Sequence, residues 1–408
     1  MSKSIQQSDL WLVIFSMVVV SISYWPLQAQ EKAQPDTEWA VQPPSEELVS
    51  SLNLDGDFYK KHLDLDGFSI LSSDKVSQYA HREAAWLIGN MLRNRPDLLS
   101  AIVSKNVRLA IMAPAEMTTH IPEHSTLKPA AYWDKRARGL GATDVRPAVS
   151  CGEENLLCYP GDPYSTENIL VHEFAHVIHQ QGLNTLDPDF DKKLRAIYKQ
   201  AMDQGLWKGK YAGTNHSEYF AEAVQSWFGT NRENDHDHNH VDTREELKQY
   251  DPRIAELLDA IFGDNDWQYA KPTERKNGLE HLAGFDPTKS PRFQWPEKVR
   301  KAFAAHQAAD KSLARLENRI KEDWGDKISP PSRNRMRITF KNETDTRLTV
   351  YWIDFKGNRK KYNFLDPGRK MTQQSFTGHL FELDDESGTT IARFAAGEKD
   401  GIAIVNRD

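Results

Sequence analysis

Apolar residues recur at helical spacing through HREAAWLIGNMLRNRPDLLSAIV, residues 81–103. The pattern predicts one helix ending near Pro96 and a second, shorter one beyond it. VRLAIMA, residues 107–113, is a compact apolar run of the β type. Residues 114–163, with many Pro, Gly and polar positions, read as long loops, the texture that often borders a binding cleft. ILVHEFAHVIH, residues 169–179, sets three histidines and a glutamate inside an apolar run. Asp162-Pro163 is a helix entrance and Gly182 an exit, which predicts one helix of about five turns around that run. Further helices are expected over 189–205, over 217–228 with Gly229 as the stop, and on both sides of Pro252. A charged amphipathic helix is expected from Pro296 to about Asp323.

The texture then changes. MRITFKNETDTRLTVYWIDFKGNRKKYNF, residues 336–364, alternates β-branched and aromatic with polar residues and carries a turn at Lys356-Gly357-Asn358, the signature of antiparallel strands. A boundary falls near Pro330-Pro331. Upstream, residues 30–53 are rich in Gln, Pro and Glu and read as a flexible linker. The fold class expected is α+β: a mostly helical domain with a small β-sheet over 54–290, a helical connector over 291–331, and an all-β sandwich over 332–408.

LWLVIFSMVVVSISYW, residues 10–25, is uncharged and apolar, follows Lys3, and precedes the small residue Ala29. That order reads as a signal peptide over 1–29 and a secreted or periplasmic protein. The competing reading is an uncleaved anchor, although the run is short of the roughly 20 residues that a spanning helix needs. Composition adds little: 39% hydrophobic, 27% charged and a net charge of −7 suit a soluble chain and give no basic face for nucleic acid. The two cysteines, Cys151 and Cys158, lie close together, and in an exported chain a local disulfide is expected, with metal binding as the alternative.

The polar residues of 169–179 need a reason to be buried. His172 and His176, four apart, share one helix face with Glu173 between them. This is H-E-x-x-H, in which two imidazoles hold zinc and the glutamate is the general base. His179 and Gly182 stand where a three-histidine version of the motif continues differently, so a third ligand must come from elsewhere. Glu218 and Glu222, four apart in YAGTNHSEYFAEAVQSWFG (residues 211–229), are the candidates, although Asn215 followed by Glu218 is also a capping-box pattern. The His-rich NDHDHNH, residues 234–240, reads as a solvated loop, with metal binding as its alternative.

HEFAH followed by YAGTNHSEYFAEA resembles the catalytic domain of anthrax lethal factor and its relatives, zinc metallopeptidases, over residues 162–228. The resemblance implies a zincin-like fold and one zinc per chain held by His172, His176 and Glu218. It implies Glu173 as the base, Tyr211 as the hydroxyl donor to the tetrahedral intermediate, and Glu222 as an acid orienting a ligand imidazole. Tyr351 to Phe381 resembles the β domain of the von Hippel–Lindau tumour suppressor, with likeness over 337–394. Matching positions for a hydroxyproline-containing peptide are Trp352, Tyr362, Ser375, His379 and Phe381. Gln374, Phe376 and Phe381 depart from that family's pattern.

The function these features imply is an exported zinc metalloendopeptidase acting on proteins or peptides, with a β domain for substrate or partner binding. The rival reading is a secreted peptide-binding protein whose zinc is structural or whose motif is vestigial.

Overall fold

The computed structural model describes residues 39–406 apart from 345, 367–368 and 387, so the expected signal peptide lies outside the described residues. Two units emerge, one mostly helical with a small sheet and one all-β, and the fold class is α+β.

The first unit begins inside the expected linker. Trp39 packs edge-on against His281, Gln42 bridges to His62, and α1 (Glu46–Ser51) is capped by Ser45. Leu48 and Val49 then pack on a small apolar cluster with Tyr59 and Met112. The composition of this stretch is polar, but these few apolar residues find a surface to bury against.

Four strands make the sheet: β1 (Lys61–Leu65), β2 (Phe68–Ser72), β3 (Arg108–Met112) and β4 (Ala148–Gly152), in that order. The first pair is antiparallel and the others are parallel. β2, β3 and β4 are buried along their whole length, which is why they read as unbroken apolar runs rather than alternating ones. Between β2 and β3 lie α2 (Gln78–Met91) and α3 (Pro96–Ser104), the two helices expected around Pro96. The loop-rich stretch before β4 holds α4 (Ala130–Arg136), and α5 (Glu153–Leu156) follows β4 directly.

The helix of the H-E-x-x-H motif, α6 (Ile169–Val177), starts and ends elsewhere than expected. Asp162 caps a turn through the amide of Tyr164, and Asn168 is the helix cap, its Oδ1 accepting from the amide of Val171 at 3.1 Å. At the other end the chain widens into a π turn, Ile178–Leu183, that includes Gly182. That glycine does not stop the helix; it lets α3 approach, since a Cβ there would lie 3.1 Å from Leu98 Cδ2. α7 (Phe190–Asp203), α8 (His216–Trp227), α9 (Arg244–Tyr250) and α10 (Pro252–Phe262) complete the core. Phe174 on α6 meets Phe68 on β2 edge-to-face at 5.6 Å, both fully buried, each contributing about 2–3 kcal/mol of burial.

The expected disulfide is absent: both cysteines are free. Cys151 lies in β4 and faces the main core, whereas Cys158 sits past α5 at a left-handed φ of 55°. The intervening helical turn separates them. Burial pushes the Cys151 thiol far above its usual range and Cys158 up to about 11.

α11 (Glu297–Ser312) ends earlier than its charge pattern suggests, because β5 (Ala314–Arg315) is drawn into the second unit. That unit is two four-stranded sheets. One has the order β11 (Thr390–Ala395), β10 (Leu380–Asp384), β7 (Leu348–Ile353), β8 (Arg359–Leu365). The other runs β5, β12 (Gly401–Val405), β6 (Arg335–Asn342), β9 (Lys370–Phe376). Phe340, Leu348, Val350, Phe381, Phe394 and Ala403 fill the space between them.

Candidate metal centre

α6 buries Ile169, Leu170, Phe174, Ala175 and Val177 and turns its histidine face toward α8. On α8, Asn215 accepts from the amides of Ser217 and Glu218, so the cap belongs to Asn215 alone. The Glu218 carboxylate is thereby left to point at α6. His172 Nε2 lies 3.2 Å and His176 Nε2 3.3 Å from the same oxygen, Glu218 Oε2. Zinc bonds of about 2.0–2.2 Å at tetrahedral angles place neighbouring ligand atoms about 3.3–3.5 Å apart, so two edges of such a tetrahedron are nearly formed. The outer nitrogens are held as well: His172 Nδ1 has Gln225 Oε1 at 2.8 Å and Glu222 Oε1 at 3.4 Å, and His176 Nδ1 has Ser217 Oγ at 3.0 Å. With Nδ1 tied outward, Nε2 is free to face inward as a ligand. The donor set fits zinc.

A second group, His179, Asp191 and His216, looks alike in composition but differs in what holds its outer nitrogens. The Nε2 atoms lie 3.1 and 2.9 Å from Asp191 Oδ1, ordinary hydrogen-bond lengths, and Arg195 takes the other oxygen at 2.7 Å. Both Nδ1 atoms are buried without a partner among the described residues. A metal on Nε2 would force a proton onto each Nδ1 and strand it, at roughly 1–3 kcal/mol apiece. Metal-ligating imidazoles ordinarily have that second nitrogen held by a partner, as in the first group, and among the described residues these two do not. Asp191 is a hydrogen-bond hub that ties α7 to the π turn and to the start of α8.

The electrostatics of the first group suit a cation. Burial drives the Glu218 carboxyl upward, but the His176 and His172 imidazoles outweigh it and hold it well below the carboxylate range. Burial raises the Glu173 carboxyl above its ordinary range. The Glu218 charge and burial push Tyr211 well above its usual range, so its hydroxyl keeps its proton. The Tyr211 ring sits 6.1 Å from that of His172.

A glycine-containing segment passes over Glu173. Leu140 pairs antiparallel with Ser150 of β4, adding an edge to the sheet. A Cβ on Gly139 would lie 2.3 Å from Ile169 Cγ2, and one on Gly141 would lie 3.1 Å from His176 Cβ. Only glycine admits this approach.

Among the residues expected at the site, His172, Glu173, His176, Tyr211, Glu218 and Glu222 come together. Gln225, Ser217, Gly139 and Gly141 were not foreseen. Neither was His238, buried with Nε2 3.2 Å from Glu222 Oε2, although it lies in the His-rich stretch read as solvated. Its neighbour His236 is exposed, as that reading expects.

In the β domain, Trp352 and His379 pack ring to ring at 5.4 Å, with Phe355, Phe376 and Tyr362 around them. Trp352 Nε1, Ser375 Oγ, Thr377 Oγ1 and His379 Nε2 are buried with no hydrogen-bond partner among the described residues. Phe381 does not join them as a surface residue. It is 1% exposed and packs on Phe340 in the sandwich core, because β10 turns it inward.

No curated protein matches the chain. A family model, that of the VHL beta domain, matches residues 328–391, and the C-terminal β domain is therefore VHL-like.

Proposed function

We propose that this chain is an exported, zincin-like zinc metalloendopeptidase related to the lethal-factor catalytic domain, with its VHL-like β domain serving to bind a peptide. The observation that carries the reading is the convergence of His172 and His176 on one oxygen of Glu218, at 3.2 and 3.3 Å, beside Glu173 and a protonated Tyr211. Three protein ligands leave a fourth position open, the pattern of a catalytic rather than a structural site. Bound zinc would supply Lewis acidity, polarising the scissile carbonyl and acidifying a water.

The chain's own groups do the rest. Glu173 takes the proton of the attacking water and returns it to the leaving amine. Tyr211 donates its hydroxyl proton in a hydrogen bond to the oxygen on which negative charge develops. The 139–141 edge offers backbone groups along which an extended peptide can lie as an added strand.

The second part of the reading rests on the unpaired atoms near Trp352 and His379. Buried donors and acceptors without partners are costly, and a ligand bearing both a ring and a hydroxyl would satisfy several at once. A hydroxyproline-containing peptide is one such ligand.

The test is digestion of a mixed peptide library by the wild-type chain and by Glu173→Gln, with zinc content measured for both. Cleavage by wild type only, with equal zinc, is expected. Equal cleavage by both would refute the role of Glu173. Zinc bound without cleavage by either would favour a structural metal and a binding protein.

A further inference from the structure

The loop at 231–240 is built more firmly than its polar sequence requires. Arg232 reaches Glu167 at 3.0 Å and Asp235 at 3.1 Å. Asp235 Oδ1 accepts from the amides of Asp237 and His238, each at 2.8 Å, and also faces His238 Nδ1 at 2.8 Å. His238 Nε2 then meets Glu222 Oε2, and the other oxygen of that carboxylate lies 3.4 Å from His172 Nδ1. A second route closes the ring: Gln225 bridges His172 Nδ1 to Glu167 Oε2, back to Arg232. Every member from Glu167 to His172 thus has partners on two sides, and both His238 and Glu222 have side chains at most 4% exposed.

We propose that His238 is a positioning residue for the metal centre, fixing the Glu222 carboxylate and through it the ring of His172. This rests on the metallopeptidase reading above.

The physical argument concerns orientation. His172 Nδ1 has two acceptors within reach, and the longer contact, to Glu222, is the one that a small movement would lose. Glu222 is anchored from its far side by His238 and by Asn231 Nδ2 at 3.2 Å. Because both His238 nitrogens face carboxylates, the ring can donate from each side and cannot rotate without breaking both bonds. Remove it, and Glu222 is left as a buried carboxylate with one donor fewer and freedom to swing from His172. Groups that orient a ligand imidazole typically change metal affinity by about 10–100-fold. The same loop also holds the turn that bears Tyr211, whose amide donates to the Asp237 carbonyl at 2.7 Å.

The experiment measures zinc affinity of the full chain by competition with a chromogenic chelator, alongside the thermal midpoint of the metal-free protein. His238→Ala should weaken zinc binding by about tenfold or more, and His238→Gln, whose amide can still donate to Glu222, should recover most of it. His236→Ala, on the same loop but solvent-facing, should leave affinity unchanged. Should His238→Ala fail to fold, Asp235→Asn provides the second variant, with a loss of about three- to tenfold expected from its weaker hold on the ring. Wild-type affinity in His238→Ala, or no rescue by glutamine, would overturn the proposal while leaving the metallopeptidase reading intact. A wild-type chain that holds no zinc would overturn that reading and this inference with it.

Discussion

Arg138 and Glu154 form an ion pair whose side chains are both 0% exposed, directly ahead of the segment that crosses Glu173. Arg138 Nε and Nη2 reach the two carboxylate oxygens at 2.6 and 2.9 Å, Nη2 also donates to the Ala113 carbonyl, and Nη1 donates to that of Glu116. The guanidinium lies 4.8 Å from the Phe293 ring centroid. Arg138→Met keeps most of the volume and removes every donor. It leaves one buried carboxylate uncompensated and the Glu116 carbonyl without its donor, so the cost should be about 3–5 kcal/mol. Glu154→Gln alone should cost about as much, because it strands the guanidinium instead. Combining the two removes both charges and should cost only about 1–3 kcal/mol, far less than the sum. Urea unfolding followed by tryptophan fluorescence gives these values from the shift in midpoint. Additive single losses, or a loss below about 1 kcal/mol for Arg138→Met, would show that the pair is not the anchor of this segment.

His81 is buried against Ser72, and burial pushes its imidazole down from 6.5 to about 4. As pH falls through the unfolded value the unfolded chain gains a proton that the folded chain refuses. Stability therefore drops between about pH 6.5 and 4, by up to about 3 kcal/mol, and levels off below; a His81→Gln variant with the same pH slope as wild type would contradict this. Gly139→Ala should cost about 1–3 kcal/mol and weaken zinc binding, since its Cβ would meet Ile169 Cγ2 at 2.3 Å and the Ser150 carbonyl at 2.9 Å; unchanged affinity and midpoint would mean that the segment moves freely. Phe381→Ala should destabilise the β domain by about 3–5 kcal/mol, read by circular dichroism during melting; a stable domain that merely lost peptide binding would restore Phe381 as a ligand contact.

What the sequence disclosed was local. His172, Glu173 and His176 are legible because helical spacing alone puts the two imidazoles on one face, and Asn215 is a recognisable cap. What it concealed was set by tertiary packing. Gly182 reads as a stop but is a contact point for α3, and Asp162 reads as a cap but serves a turn seven residues before the helix begins. Gly139 and Gly141 carry no side-chain signal, so their passage over Glu173 depends on β4 being their neighbour. His238 lies in a stretch whose composition is that of solvent, and only the fold delivers it to Glu222. Phe381 stands at a position that the resemblance assigns to a binding surface, although its residue type departs from that family's, and strand register decides which face it takes.

The pairing of β5 with β12 has a practical consequence for dissecting the molecule. The proline pair at 330–331 looks like the natural place to cut, but Leu316 donates its amide to the Ile402 carbonyl, and Arg319 does the same to Arg393. A fragment beginning at 332 would strip β12 of its outer neighbour and leave an unpaired backbone edge beside the apolar seat of Leu316 on Gly401. Bare edges of that kind recruit other chains, so such a fragment should self-associate. One that begins ahead of Ala314 would carry its own edge cover.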